Sequence, residues 1–466
     1  MRRILAATVA STFLGIAPPA SAQWASHQAV RATSFQNSVG VNIGLNSEWD
    51  TAYSDNANGG AGYAGNNAAS GPVLINGRTQ TNVSRIVQAI YYLGAGHARM
   101  SLAAPYVADR LQAIIQAVPW FQIDLLMVGT GQPIGDALNL AGNLANHVEA
   151  IEGLNEAAEN ASYEGLYGAA ADCRFQSELV GAARNWNGQH GVNAAILAPT
   201  ASGQSFGDFG ALSQCAWAST ASNGHFYTDN TGPTQQVQYD LPFVRQDAPY
   251  GAPVWGSEAG YSTNPAAPRG LSEDVAAKRT LSALLSFFAN GVVRTYLYEL
   301  ADENPQYPRL NDNYNAAELE MHYGLFNNDW SPKQTARMLH SQLQLLQDYG
   351  NNAWGFSPGS MSYNITNQPN STHSLLMQKS DGSWLLAVWA EPPGMYVSAT
   401  NYSYGYETNT PTSYPTIQFD RSFALIQTAD PFTAGWDTPT INRAGAYTNS
   451  VTVPLSDHVI YLILKP

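Results

Sequence analysis

The feature that most constrains this chain is an alternation. Between about residues 38 and 345, eight short β-rich runs are interleaved with helical stretches, the pattern of parallel βαβ units. Strands are expected at VGVNIGLN (39–46), HARMSLA (97–103), QIDLLMVG (122–129), VEAIEGLNE (148–156), AAILAPT (194–200), GHFYT (224–228), VWGSEAGY (254–261) and VRTYLYEL (293–300). The intervening helices are expected at 83–94, 107–118, 136–147, 172–188 and 272–291, with a final one at 331–349. Ser272 is placed to cap the fifth of these, with Glu273 and Asp274 in its first turn. Eight strands in some 300 residues fit a (β/α)8 TIM barrel. An open doubly wound sheet would instead carry a Gly-rich phosphate loop after its first strand, and none follows residue 46 in that setting.

After residue 350 helical periodicity stops, and short alternating segments separated by turns take over. THSLLMQKSDGSWLLAVWAEP (372–392) is expected to be a hairpin turning at Ser380-Asp381-Gly382, and SFALIQ, SVTVPL and HVIYLILK continue the pattern. Residues 350–466 are therefore expected to form a C-terminal antiparallel β-sandwich domain behind a barrel spanning 23–349. Strand character at 27–37 suggests that this opening segment pairs with the sandwich. The stretch SDNANGGAGYAGNNAAS (54–70) is expected to be a flexible loop near the barrel mouth.

The first 22 residues have the form of a secretory signal peptide: Arg2 and Arg3, an apolar stretch from Ile4 to Ile16, Pro18 and Pro19, then Ala20-Ser21-Ala22. Removing them leaves 466 − 22 = 444 residues of exported protein, secreted or periplasmic. No later stretch approaches the ~20 uninterrupted apolar residues of a membrane span. Cys173 and Cys215 are the only cysteines, and in an oxidising compartment they form one disulfide or stay as two buried thiols. Without a Cys/His cluster beside them they do not make a zinc site.

Charged residues make up only 12% of the chain, with a net charge of −14. That balance excludes a phosphate-backbone binder, which needs basic stripes. A surface of neutral polar and aromatic groups, including 25 Tyr and 11 Trp, suits neutral, hydroxyl-rich ligands instead.

In a barrel of this kind the reactive groups stand at the carboxyl ends of the strands. Those ends carry Arg99 (second strand), Asn155 and Glu156 (fourth), His225 and Tyr227 (sixth), Glu258 (seventh), and Tyr298 and Glu299 (eighth). Two carboxylates facing each other across the mouth meet the requirement of glycosidic double displacement, in which one protonates the leaving oxygen and the other attacks the anomeric carbon.

By these residues the chain resembles the clan A retaining (β/α)8 glycoside hydrolases, and its layout is similar to family 39 and related members. The motifs are LNE (154–156), SEAGY (257–261), HFY (225–227) and HARMS (97–101), with further similarity through YLYELAD (296–302) and HYGLFNNDWSPK (322–333). The resemblance implies Glu156 as acid/base, Glu258 as nucleophile, a β-linked oligo- or polysaccharide as substrate, and no metal or organic cofactor. Several clan families place a tryptophan on the eighth strand where this chain has TYLYEL, so the sugar is not read from the resemblance.

Physical roles follow from the chemistry. Glu156 must carry a proton in the first step and lack it in the second. Asn155 is suited to the sugar 2-hydroxyl, Arg99 to holding Glu258 ionised, Tyr227 to donating to the same carboxylate, and His225 to positioning. Of Tyr298 and Glu299 only one can face the barrel centre, and Tyr298 is the expected one. Trp255 is expected in the core, Glu152 and Glu159 in salt bridges or on the surface, and Trp49, Tyr53, Tyr261 and Trp330 as sugar platforms or loop anchors. Retaining carboxyls are ~5–5.5 Å apart, whereas ~9 Å indicates inversion. Two rivals to hydrolysis are a transglycosylase, which uses the same carboxylates, and a non-catalytic carbohydrate-binding barrel. The sequence leaves oligomeric state open.

Overall fold

A computed structural model of the chain describes residues 24–44, 73–75, 78–102, 105–127, 133–156, 162–201, 210–228 except 216 and 218, 231–264, 270–302, 322–391 except 328, 412–432 and 438–466. The expected signal peptide, the 54–70 loop, Trp49, Tyr53 and Glu159 lie outside the described residues.

Eight parallel strands form one sheet: β1 (Val39–Asn42), β2 (His97–Ser101), β3 (Gln122–Met127), β4 (Val148–Leu154), β5 (Ala195–Leu197), β6 (Ser222–His225), β7 (Val254–Ala259) and β8 (Val292–Leu297). Their spatial order is β5-β4-β3-β2-β1-β8-β7-β6. A parallel bridge between Leu197 and Ala221, with the Thr220 N–H donating to Ile196 O at 2.8 Å, joins β5 to the start of β6 and closes the barrel. Around it run α1 (Thr81–Leu93), α2 (Pro105–Ala117), α3 (Ile134–Ala141), α4 (Ala169–His190), α5 (Pro233–Val244), α6 (Glu273–Ala289) and α7 (Gln334–Leu346). The helix expected over 136–147 is α-helical only to Ala141 and continues as a tighter 3-10 turn through His147. Ser272 does cap α6, accepting from the Val275 N–H.

The C-terminal domain has two antiparallel-rich sheets. Strands β9 (Ser360–Thr366), β12 (Thr416–Phe423) and β15 (Thr448–Thr452) form one, and β10 (Thr372–Gln378), β11 (Trp384–Ala390), β13 (Leu425–Asp430), β14 (Thr440–Gly445) and β16 (Ile460–Lys465) the other. The β10–β11 hairpin turns where expected, with Gly382 at φ +84°, a conformation that disfavours any side chain. The N-terminal segment joins both sheets: Ser26–Gln28 pairs with β9 and Val30–Arg31 with β10. It is not strand throughout, because Ala32–Gln36 forms a short helix that buries Phe35.

One hydrophobic core runs from the barrel into the sandwich, taking in Met377, Leu385, Trp389 and Tyr461 together with the barrel strands. The inner faces of the two sandwich sheets form a second, around Leu386, Phe419 and Leu462. Because the domains share a core, burial of apolar area fixes the sandwich against the barrel wall.

Candidate active site

Parallel barrel strands end at one face, so residues far apart in sequence converge there. Glu258 lies within β7 and His225 ends β6, while Asn155 and Glu156 follow β4, Tyr227 follows β6 and Tyr298 follows β8. The strands stop earlier than their sequences suggest. At Glu156 the chain has left the ladder, its backbone N–H donating to Thr200 Oγ1 at 3.1 Å. Glu156 has φ +46°, a left-handed conformation that costs a non-glycine residue roughly 1–2 kcal/mol. Strain of this kind persists where the surroundings enforce it.

Glu258 is buried and held from two sides. Its Oε1 accepts from Arg99 Nη1 and its Oε2 from the Tyr227 hydroxyl, both at 2.7 Å. Burial favours the neutral acid, but nearby His225 and Arg99, with the hydrogen bonds from Tyr227 and Arg99, outweigh it and hold the carboxyl below its usual range. Tyr227 keeps its proton, since burial and then the charge of Glu258 push its hydroxyl well above its ordinary value.

Glu156 is different: its side chain is 35% exposed at the mouth. Its Oε1 is 2.7 Å from His225 Nδ1, and the same nitrogen is 3.5 Å from Glu258 Oε2. A carboxylate oxygen of Glu156 and one of Glu258 lie within 4.8 Å of each other. His225 Nε2 is buried with no hydrogen-bond partner among the described residues, so the nitrogen facing the two acids is the one that works. The proton belongs on Nδ1, where acceptors face it.

Arg99 uses its whole guanidinium. Nε and Nη2 grip Glu152 at 2.6 and 2.9 Å, Nη1 reaches Asn42 Oδ1 at 3.0 Å as well as Glu258, and Nη2 also donates to Asn155 Oδ1. Glu152 is fully buried, as a salt-bridge partner and not a surface group, and it accepts from Asn223 Nδ2 at 2.8 Å. Asp124 is buried beside it. Burial, then the charge of Glu152, pushes the Asp124 carboxyl well above its usual range. Asn42, Asp124 and Asn223 were not singled out in the sequence, and Glu152 was expected only in a salt bridge or on the surface. For Asp124 and Glu152 the available signal was an acid in the middle of an apolar strand.

Tyr298 and Tyr227 are linked through Tyr323, whose ring meets theirs edge-on at 5.6 and 5.9 Å between centroids. Tyr298 is partly exposed while Glu299 is buried. Tyr261 bonds to Thr228 and stacks under Arg279 at 5.4 Å, and Trp330 packs on Phe326 at 6.4 Å, contacts that suit loop anchors. Trp255 is core, 7% exposed and packed by Tyr296. Cys173 and Cys215 are disulfide-bonded, with Cα atoms 5.0 Å apart, tying the N-terminal part of α4 to the segment after β5.

No protein-family model matches the chain, and no curated protein matches its sequence. Among solved structures it is similar to a family 39 glycoside hydrolase from the gut symbiont Bacteroides cellulosilyticus WH2, with TM-score 0.58 and 12% identity over 93% of this chain and 82% of that one. It is also similar to a family 30 subfamily 8 xylanase from Clostridium acetobutylicum, with TM-score 0.50 and 9% identity over 95% of this chain and 98% of the other. The fold is that of the glycoside hydrolase barrels. Within it, Glu156, His225 and Glu258 form the one cluster of metal-ligand type among the described residues. Both oxygens of Glu258 already accept hydrogen bonds, and Arg99 stands against it, so a cation there would face a neighbouring positive charge. No described helix is long and apolar enough to cross a membrane.

Proposed function

We propose that the chain is a secreted retaining glycoside hydrolase that cleaves β-linked oligo- or polysaccharides by double displacement. The observation that carries this reading is the pairing of Glu156 and Glu258, with carboxylate oxygens within 4.8 Å in two unlike environments. So close an approach suits the ~5–5.5 Å carboxyl separation of a retaining site better than the ~6.5–9.5 Å of an inverting one. Glu258, kept ionised, attacks the anomeric carbon. Glu156, exposed at the mouth, donates its proton to the leaving oxygen. When Glu258 becomes an ester its negative charge is gone, and Glu156 then acts as base toward water.

The remaining residues act on charge and position. Arg99 and Tyr227 bind the nucleophile in its reactive form, so that no reorganisation is needed as the bond forms. His225 hydrogen-bonds Glu156 and restrains the acid/base. Asn155, oriented by Arg99, is the amide offered to the sugar 2-hydroxyl. Tyr298 lines the mouth where related barrels carry tryptophan. Export through the leader at 1–22 agrees with the disulfide, which needs an oxidising compartment.

The test is a panel of aryl β-glycosides and polysaccharides against wild type, Glu258→Ala and Glu156→Ala. The wild type is expected to turn over at least one substrate and Glu258→Ala none. Glu156→Ala should lose most on poor leaving groups, with azide partly restoring activated ones. Equal loss on good and poor leaving groups without azide rescue would remove Glu156 from the acid/base role. Binding without turnover in wild type would favour the non-catalytic barrel.

A further inference from the structure

Glu391 follows β11 in the sandwich, is buried, and reaches into the barrel's outer layer. Its Oε1 accepts from Thr234 Oγ1 at 2.8 Å, Ser286 Oγ at 3.0 Å and the Trp389 indole N–H at 3.2 Å. The Thr234 backbone N–H donates to both carboxylate oxygens, at 3.2 and 3.1 Å. His373 Nε2 lies 3.9 Å from Oε2. Thr234 belongs to the first turn of α5, so a carboxylate from another domain takes an N–H that a helix start leaves unpaired, where the helix dipole favours negative charge. A Cβ at Gly232 would lie 2.4 Å from Glu391 Oε2, so the approach needs glycine.

The two helices that Glu391 joins, α5 and α6, pack side by side on the outside of the barrel, after β6 and β7. α5 is the helix that follows the segment bearing His225, Tyr227 and Thr228. Ser286 is on α6 beside Phe287, whose ring packs on Phe226 at 5.4 Å. The Phe226 N–H in turn donates to the backbone oxygen of Glu258 at 2.7 Å. A buried carboxylate is costly unless fully hydrogen-bonded, and one with donors from both helices holds them at a fixed separation.

We propose that Glu391 is a positioning residue: a sandwich carboxylate that clamps α5 and α6 around Phe226 and so sets Tyr227 against Glu258. The sandwich is thereby part of the catalytic unit and not a detachable appendage. This rests on reading Glu258 as the nucleophile.

Glu391→Gln keeps the shape but turns an amide NH2 toward groups that donate. In the folded variant kcat is expected to fall about 10-fold with KM within about twofold. The acid limb of kcat/KM moves upward, because a weakened Tyr227 bond stabilises ionised Glu258 less. Adding Glu391→Gln to Tyr227→Phe should cost nothing further, and amide exchange over residues 226–234 should quicken. Unchanged kinetics and exchange in folded Glu391→Gln would overturn the proposal, as would losses that multiply with Tyr227→Phe. If Glu391→Gln does not fold, Thr234→Val and Ser286→Ala remove single donors and are expected to shift the same quantities in the same direction; wild-type values in both overturn it. Amide exchange needs no substrate, so a wild type without glycosidase activity defeats the functional reading while the clamp is still decided.

Discussion

Arg99 donates to Glu258 at 2.7 Å with the same guanidinium that grips Glu152 at 2.6 and 2.9 Å. Glu258, the proposed nucleophile, is thus held by a cation that is itself immobilised, which lowers the reorganisation that attack would need. Lysine cannot reproduce a planar fork with five donors. Arg99→Lys is expected to lower kcat/KM by about 100-fold or more. Because the carboxylate loses a stabilising partner, its titration rises, and the acid limb of the kcat/KM profile should move to higher pH. An unmoved limb would mean that Arg99 does not set the ionisation of Glu258.

His458 stands between Asp457 and Asp430, with Nδ1–Oδ1 and Nε2–Oδ2 distances of 3.1 and 3.3 Å, while Phe432 packs on its ring at 4.8 Å. Ser456 also meets Nδ1, and Lys278 of α6 binds Asp457 from the barrel side at 2.9 Å. Burial lowers its titration, but the two aspartates outweigh that and raise it to about 9. The folded value lies above the unfolded one of 6.5, so the stabilisation is complete below about pH 6.5 and is lost as pH rises through about 9. A shift of that size corresponds to at most about 3 kcal/mol. Thermal unfolding at pH 6 and pH 9.5 should show a larger drop in wild type than in His458→Gln; equal drops would contradict the assignment.

The disulfide closes a loop with a sequence separation of 42 residues. Cys173→Ser with Cys215→Ser is expected to lower unfolding stability by about 2–4 kcal/mol, chiefly by freeing the unfolded chain. Denaturant melts of the double variant measure this. A change under about 0.5 kcal/mol would show that α4 and the segment after β5 are held by packing alone.

Much of this fold was legible because the barrel's signal is repetitive. An error of a few residues at any strand end leaves the order of eight strands intact, and the acids at 156 and 258 follow from that order. The boundaries were less legible, since 3-10 geometry after Ala141 and the helix at Ala32–Gln36 are set by tertiary packing and leave no clear trace in local periodicity. Glu152 was read only as a salt-bridge or surface acid because a lone acid says nothing of its depth; its burial depends on Arg99 and Asn223 arriving from strands far away in sequence. The same holds for Glu391, whose partners Thr234 and Ser286 belong to the other domain.

The central claim is that Glu258 is the nucleophile of a retaining reaction with Glu156 opposite it. The most direct measurement is mass spectrometry of the enzyme after reaction with activated 2-deoxy-2-fluoro β-glycosides drawn from the sugars it turns over, which slow release of the covalent intermediate. The account predicts one added glycosyl group, on the peptide carrying Glu258, absent from Glu258→Ala. A label on another residue, or an α-configured first product with no label at all, would contradict it.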